Sequence, residues 1–188
     1  LTSSFLVTAK LAGIAYILAV ALGVVVGVVA AVNHGKWVDS VLMTISVFGI
    51  SAPAFWIAII LQIVICLKFN LLPLSGIDSF KSFILPGIAL GTRYAASIAR
   101  ITRTSMLDVL SQDYIRTAEA KGLKGWVVTI KHALRNALIP IITIAGSDLG
   151  NILTGSVLVE SVFSIPGIGK MLVDSINTRD LPIVQGGV

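Results

Sequence analysis

Residues 100–136 read RITRTSMLDVLSQDYIRTAEAKGLKGWVVTIKHALRN, the longest charge-rich stretch of the chain, and long apolar segments flank it on both sides. Seven of the fourteen Lys and Arg residues lie in it: Arg100, Arg103, Arg116, Lys121, Lys124, Lys131 and Arg135. Leu107, Leu110, Tyr114 and Ala118 recur at helical spacing, with Asp108, Gln112, Asp113 and Arg116 off that face, which predicts an amphipathic helix. Gly122 interrupts the pattern as a helix C-terminal glycine does. A second amphipathic turn follows, with Leu123, Val127, Ile130 and Leu134 on one side and Lys124, Lys131 and Arg135 on the other. Such a segment is either a solvated basic connection between membrane helices or a docking element for a partner on the cytoplasmic side.

The rest of the chain supplies the membrane. Of 188 residues, 56% are hydrophobic and 12% charged, and the mean hydropathy is +0.97. Soluble domains carry roughly 25% charge, so this chain has too little to cover a water-facing surface, and a membrane protein is expected. A net charge of +5 could suggest nucleic acid. The basic residues cluster beside apolar spans instead, so no nucleic-acid partner is expected. Cys66 is the single cysteine, which excludes a disulfide within this sequence.

Spanning hydrocarbon takes about 20 apolar residues, and four segments qualify, near residues 6–32, 41–67, 83–104 and 137–159. Pro53 is expected to kink the second. The third is the weakest, with Arg93 inside it, and the fourth contains Asp148. A short polar turn from Asn33 to Ser40, a turn-rich loop from Lys68 to Ser82 and a polar outer loop from Glu160 to Asp180 connect or follow them. The basic stretch, read as a coupling region over 105–136, belongs in the cytoplasm by the positive-inside rule. Alternation then puts both ends of the chain outside. A sequence that starts at Leu1, already near an apolar run, and stops at Val188 as another begins reads as an internal part of a longer chain. Glycine pairs at four-residue spacing, Gly23/Gly27, Gly87/Gly91 and Gly146/Gly150, predict a tightly packed bundle or dimer.

Few residues carry candidate chemistry. Asp148 is an acid within a span, with Ser147, Asn151 and Thr154 nearby, and is either a wall of a translocation path or a hydrogen-bonded interface residue. Arg93, beside Tyr94, either pairs with Asp148 or reaches towards a surface. Arg100 and Arg103 are expected to snorkel at the inner interface. His34 and His132 have no companion at metal-ligand spacing. There is no phosphate-binding glycine loop and no nucleophile with an adjacent base, so no catalytic activity, metal or cofactor is expected in the chain itself.

Gly122, nine further residues and then His132-Ala133-Leu134-Arg135 resemble the cytoplasmic signature of ABC importer permeases, Glu-Ala-Ala, three residues, Gly, nine residues, Ile-x-Leu-Pro. Gly122 and Leu134 match in place, and Arg116-Thr117-Ala118 takes the Glu-Ala-Ala position. Arg116 to Gly122 and His132 to Pro140 are similar to the peptide/nickel branch of that family, with Glu119 where relatives usually carry Arg. Ile84-Leu85-Pro86, Ala99 to Met106, Val159 to Gly169 and Arg179 to Gly186 extend the resemblance over essentially the whole chain.

The resemblance implies an all-α membrane protein, a polytopic bundle of the type I importer permease (MetI-like) fold with about four to five membrane helices here. It implies a permease in a bacterial or archaeal cytoplasmic membrane, working with a second permease, two ATPase subunits that hold ATP and Mg, and an extracytoplasmic substrate-binding protein. The ATPase-coupling residues would be Arg116, Thr117, Ala118, Glu119, Gly122, Leu123, Lys124, Trp126, His132 and Leu134. Asp148, Asn151 and Arg93 would line the path. Di- or oligopeptides are the expected cargo, with nickel chelates or glutathione on the same machinery as alternatives. An ATPase-independent secondary transporter, a channel or a non-transporting scaffold remain as other classes.

Overall fold

A computed structural model describes residues 2–77 and 79–187. The expectation that the chain's two ends lie outside falls on Leu1 and Val188, beyond the described residues. Helices account for the regular structure, and no strand occurs among the described residues. In order they are α1 (Thr2–Val32), α2 (Trp37–Ser51), α3 (Ala54–Lys68), a 3₁₀ turn at Phe80–Phe83, α4 (Ile84–Leu110), α5 (Asp113–Ala120), α6 (Gly125–Gly155), α7 (Val157–Val162), α8 (Ile168–Thr178) and α9 (Leu181–Gly187).

α1 and α6 are each 31 residues long and apolar enough to cross a membrane. α2 and α3 pass together as a third, but they are bent by 105° at the break between them. The expected kink at Pro53 is therefore a full break. Pro53 sits in extended backbone at φ −62 and ψ 137; it has no N–H to offer the preceding turn, so α2 stops and α3 starts afresh. α4 does not qualify on apolarity, because Arg93, Arg100, Arg103 and Asp108 interrupt it. Among the described residues, two helices qualify by length and composition, or three with the bent pair, where about four to five membrane helices are expected.

The contacts divide into two compact units. In the unit built from residues 19–51 and 93–148, α1 packs on α4 with almost no gap. A Cβ added to Gly23 would lie 2.7 Å from the Ala95 carbonyl oxygen, and one on Gly27 would lie 2.6 Å from the Ala99 oxygen and collide with Thr102. The pairing rises in step along both helices, so they run parallel. Such approach needs glycine, since any side chain would push the backbones apart.

In the unit of residues 2–18, 52–92 and 149–187, α4 supplies the glycine instead. A Cβ on Gly91 would meet the Ala15 oxygen at 2.8 Å, and one on Gly87 would meet Ile14 Cγ2 at 3.1 Å. At Gly146 and Gly150 an added Cβ meets nothing within 4 Å, so this pair makes no close contact within the chain. Spacing alone marks where a neighbour could approach, and no element of the same unit does.

The segment from Glu160 to Asp180 is not a polar loop. It forms the end of α7, a turn and α8, with Glu160, Phe163 and Ile165 fully buried. Its polar residues are spaced so that the apolar ones fall on one helix face, a pattern a composition average hides.

Candidate functional site

The basic stretch divides into the end of α4, a break at Ser111–Gln112, α5, a tight turn and the first turns of α6. The face that α5 buries is Ile115 and Ala118, 1% and 6% exposed, whereas Tyr114 stands 42% exposed. The break shifts the helical phase by part of a turn, which removes Tyr114 from the line that Leu107 and Leu110 begin. Tyr114 is tied down at its tip, where its hydroxyl accepts from Asn136 Nδ2 at 2.8 Å.

The turn after α5 is a Schellman closure. Leu123 N donates to the Ala118 oxygen at 3.4 Å, and Gly122 N donates to the Glu119 oxygen at 2.9 Å. Gly122 lies at φ +75, the left-handed region that this closure requires and that side chains resist. An added Cβ there would meet nothing within 4 Å, so backbone conformation and not space selects glycine. Lys124 then caps α6 in extended backbone, and its carbonyl accepts from Val127 and Val128.

The consequence is an exposed corner. Arg116, Thr117, Glu119, Gly122, Leu123, Lys124 and Trp126 are all exposed around it, and Trp126 is 68% open. Ala118 does not join them, because it lies on the face that α5 turns towards α6. His132 and Leu134 are half-buried, further along α6 in a π-helical stretch at Val128–Leu134. A large aromatic and a leucine thus stand exposed on the turn, rimmed by Lys124, Arg116 and Glu119: an apolar centre with a charged edge. The Arg116–Asp113 pair at 3.8 Å is fully exposed and contributes little.

The expected path residues sit on two helices. Arg93 is exposed on α4 and Asp148 half-buried on α6. Both act electrostatically on the Tyr94 hydroxyl, which places them in one neighbourhood of their unit. Asn151 follows Asp148 by nearly one turn of α6 and is exposed.

Two buried polar centres were not foreseen. Arg103 does not snorkel. Its Nε and Nη2 donate to Asp39 Oδ1 and Oδ2 at 2.6 and 2.7 Å, a two-pronged pair with the Asp39 side chain 6% exposed. Gly35 N donates to Asp39 at 3.2 Å, and His34 Nδ1 lies 2.9 Å from Arg103 Nη2. With Nδ1 accepting from the guanidinium, the 3.2 Å approach of the same nitrogen to Asp39 is a contact and not a donated bond. The first turn of α2 also favours the carboxylate through its unpaired N–H groups.

The second centre is Glu160, fully buried. It accepts from Thr8 Oγ1 at 2.7 Å, Ser156 Oγ at 2.8 Å and Lys170 N at 3.1 Å. Thr8 Oγ1 in turn accepts from Ile168 N at 2.9 Å. Gly167 and Gly169 have no room for a Cβ against Glu160, so this carboxylate holds α1, α7 and the start of α8 together. Partners 152 residues apart leave no trace in local periodicity.

Apolar helices that pack through glycine, with a charged-rimmed corner left exposed between α5 and α6, are the features of an integral membrane component. The chain belongs to the family of binding-protein-dependent transport system inner membrane components, whose model matches residues 23–188. It is 45% identical over all 188 residues to the glutathione transport system permease protein GsiC of Salmonella choleraesuis (strain SC-B67), and equally to that of Escherichia coli (strain K12). The chain spans 61% of the length of these relatives. A crystal structure of an amino acid ABC transporter with histidines superposes with a TM-score of 0.69, over 98% of this chain and 84% of that one, at 17% identity. That likeness speaks for the fold, an ABC transporter membrane domain.

Proposed function

We propose that the chain is the core of a permease subunit in an ATP-driven importer, moving short peptides handed over by an extracytoplasmic binding protein. A second permease would complete the path, and two ATPase subunits would hold ATP and Mg and grip the α5–α6 corner. The observation that carries this reading is the corner itself, where Gly122 fixes a left-handed turn and leaves Leu123 and Trp126 exposed. Closure of paired ATPases would draw two such corners together, and the long helices would transmit the motion to the path, switching access from one side to the other. Arg93, Asp148 and Asn151 are the residues proposed to meet the path. Glutathione, itself a tripeptide, is the member of the cargo class that the named relatives favour.

The test is Gly122→Asp in the assembled transporter. It should insert in the membrane normally yet lose ATP-driven uptake, since a residue with a Cβ strains the turn by about 1–2 kcal/mol and an added carboxylate alters the gripped surface. Wild-type uptake by this variant would remove the coupling role.

A further inference from the structure

The face of α4 opposite its glycine-mediated contact with α1 carries Arg93, Ser97, Arg100 and Thr104. At 100° per residue these four fall within about 60° of one another. Arg93, Arg100 and Thr104 are exposed and Ser97 is half-buried. The other side of the helix, Ala95, Ile98, Ala99 and Thr102, lies against Gly23 and Gly27. A cavity of about 280 Å³ opens on the stripe, lined by Ile50, Ser97, Arg100, Ile101 and Thr104.

Depth argues against lipid. Arg103 pairs with Asp39 in the first turn of α2, directly after the polar turn at residues 33–36, and so marks the level of that turn on α4, about two turns before the helix ends at Leu110. In the permease reading α4 crosses the bilayer despite its charges, and Arg93, ten residues from Arg103, then lies about 15 Å along the helix, half of the roughly 30 Å hydrocarbon thickness. A guanidinium at that depth cannot reach either surface, and charges there face water-filled cavities or polar partners. Arg100, one and a half to two turns closer to the inner end, continues the same line. The Thr104 hydroxyl already donates to the Arg100 and Ile101 carbonyls, so the guanidiniums and Ser97 Oγ are the donors on offer. Two guanidiniums against the one carboxylate of Asp148, which acts on the same Tyr94 hydroxyl as Arg93, leave a net positive stripe that suits an anion with planar oxygens.

We propose that this stripe lines the inner half of the translocation path and takes the carboxylate groups of the passing substrate. The inference rests on the permease reading and names the cargo chemistry: a peptide with free carboxylates in excess of its ammonium groups, as glutathione has. Arg93 and Arg100 would replace the carboxylate's water shell in turn, and Ser97 between them would hand it on.

The experiment is cysteine labelling in the assembled transporter, with Ser97→Cys in a Cys66→Ser background and water-soluble methanethiosulfonates of either charge. The stripe predicts that Ser97→Cys reacts with both reagents and faster with the anionic one, by about tenfold. Arg93→Gln with Arg100→Gln should bring that ratio near unity. A transported peptide with free carboxylates should slow the labelling. A cysteine unreactive to both reagents would put the face against lipid or protein and overturn the proposal, as would a ratio near unity in the parent. Protection by anionic phospholipid in place of peptide would assign the stripe to a headgroup and overturn it too. ATP-driven uptake by the same sample reports the permease role separately. A transporter that runs on ATP with Ser97→Cys unlabelled loses only the stripe; labelling as described without any ATP-driven uptake loses only the permease reading.

Discussion

Removing one partner of the Asp39–Arg103 pair should unequally destabilise the fold. Arg103→Ala deletes both short bonds to Asp39 and leaves a carboxylate whose side chain is only 6% exposed. Breaking a buried pair from one side costs about 3–5 kcal/mol. Arg103 is itself 21% exposed, so the low end applies, about 3 kcal/mol. Asp39→Ala leaves a guanidinium that can turn to water and regain hydrogen bonds there, so the cost falls towards that of one charged hydrogen bond, at the low end of about 1.5–3 kcal/mol. The double variant should be far less damaged than the sum, with a coupling of about 2 kcal/mol. Reversible unfolding of the purified protein in a bilayer mimic, run as a double-mutant cycle, measures all three. Singles within about 0.5 kcal/mol of the parent and an additive double would refute the claim that this pair ties the base of α2 to α4.

Two further variants probe the other polar positions. Glu160→Ala strips the acceptor from Thr8 Oγ1, Ser156 Oγ and Lys170 N, and at about 1–3 kcal/mol for each buried group left unpaired it should lower the unfolding midpoint markedly. Glu160→Gln should lose less, and an unchanged midpoint for the alanine variant would contradict the staple. If Asp148 meets the path, Asp148→Asn and Asp148→Leu should both slow ATP-driven uptake, the leucine more; wild-type rates for both would make it a structural residue.

Much of the architecture is legible in local pattern, because the membrane imposes simple rules on it. The uncharged run in α1, the helix-ending Gly122 and the close-packing role of Gly23/Gly27 and Gly87/Gly91 all follow from apolarity, backbone freedom and spacing. What fails is what depends on partners. Arg103 looked like an interfacial anchor because Asp39, 64 residues away, is invisible to periodicity. Glu160 looked like part of a wet loop because the donor that ties it to α1, Thr8, lies 152 residues away. Gly146/Gly150 have the spacing of a contact and make none within this chain. Pro53 shows a milder failure: its effect was foreseen in kind but not in size, since a kink and a break differ only in whether the preceding turn can be re-satisfied. At the candidate site, exposure of Leu123 and Trp126 follows from their place at a forced turn, while the burial of Ala118 depends on how α5 lies against α6.

Disulfide trapping across the α5–α6 corner puts the account to its sharpest test. With Trp126→Cys in a Cys66→Ser background, and single cysteines placed on the ATPase subunit, the corner should cross-link in the assembled transporter, and ATP should change the yield. A corner that cross-links to no ATPase subunit, or that is labelled from the extracytoplasmic side by an impermeant thiol reagent, would contradict it.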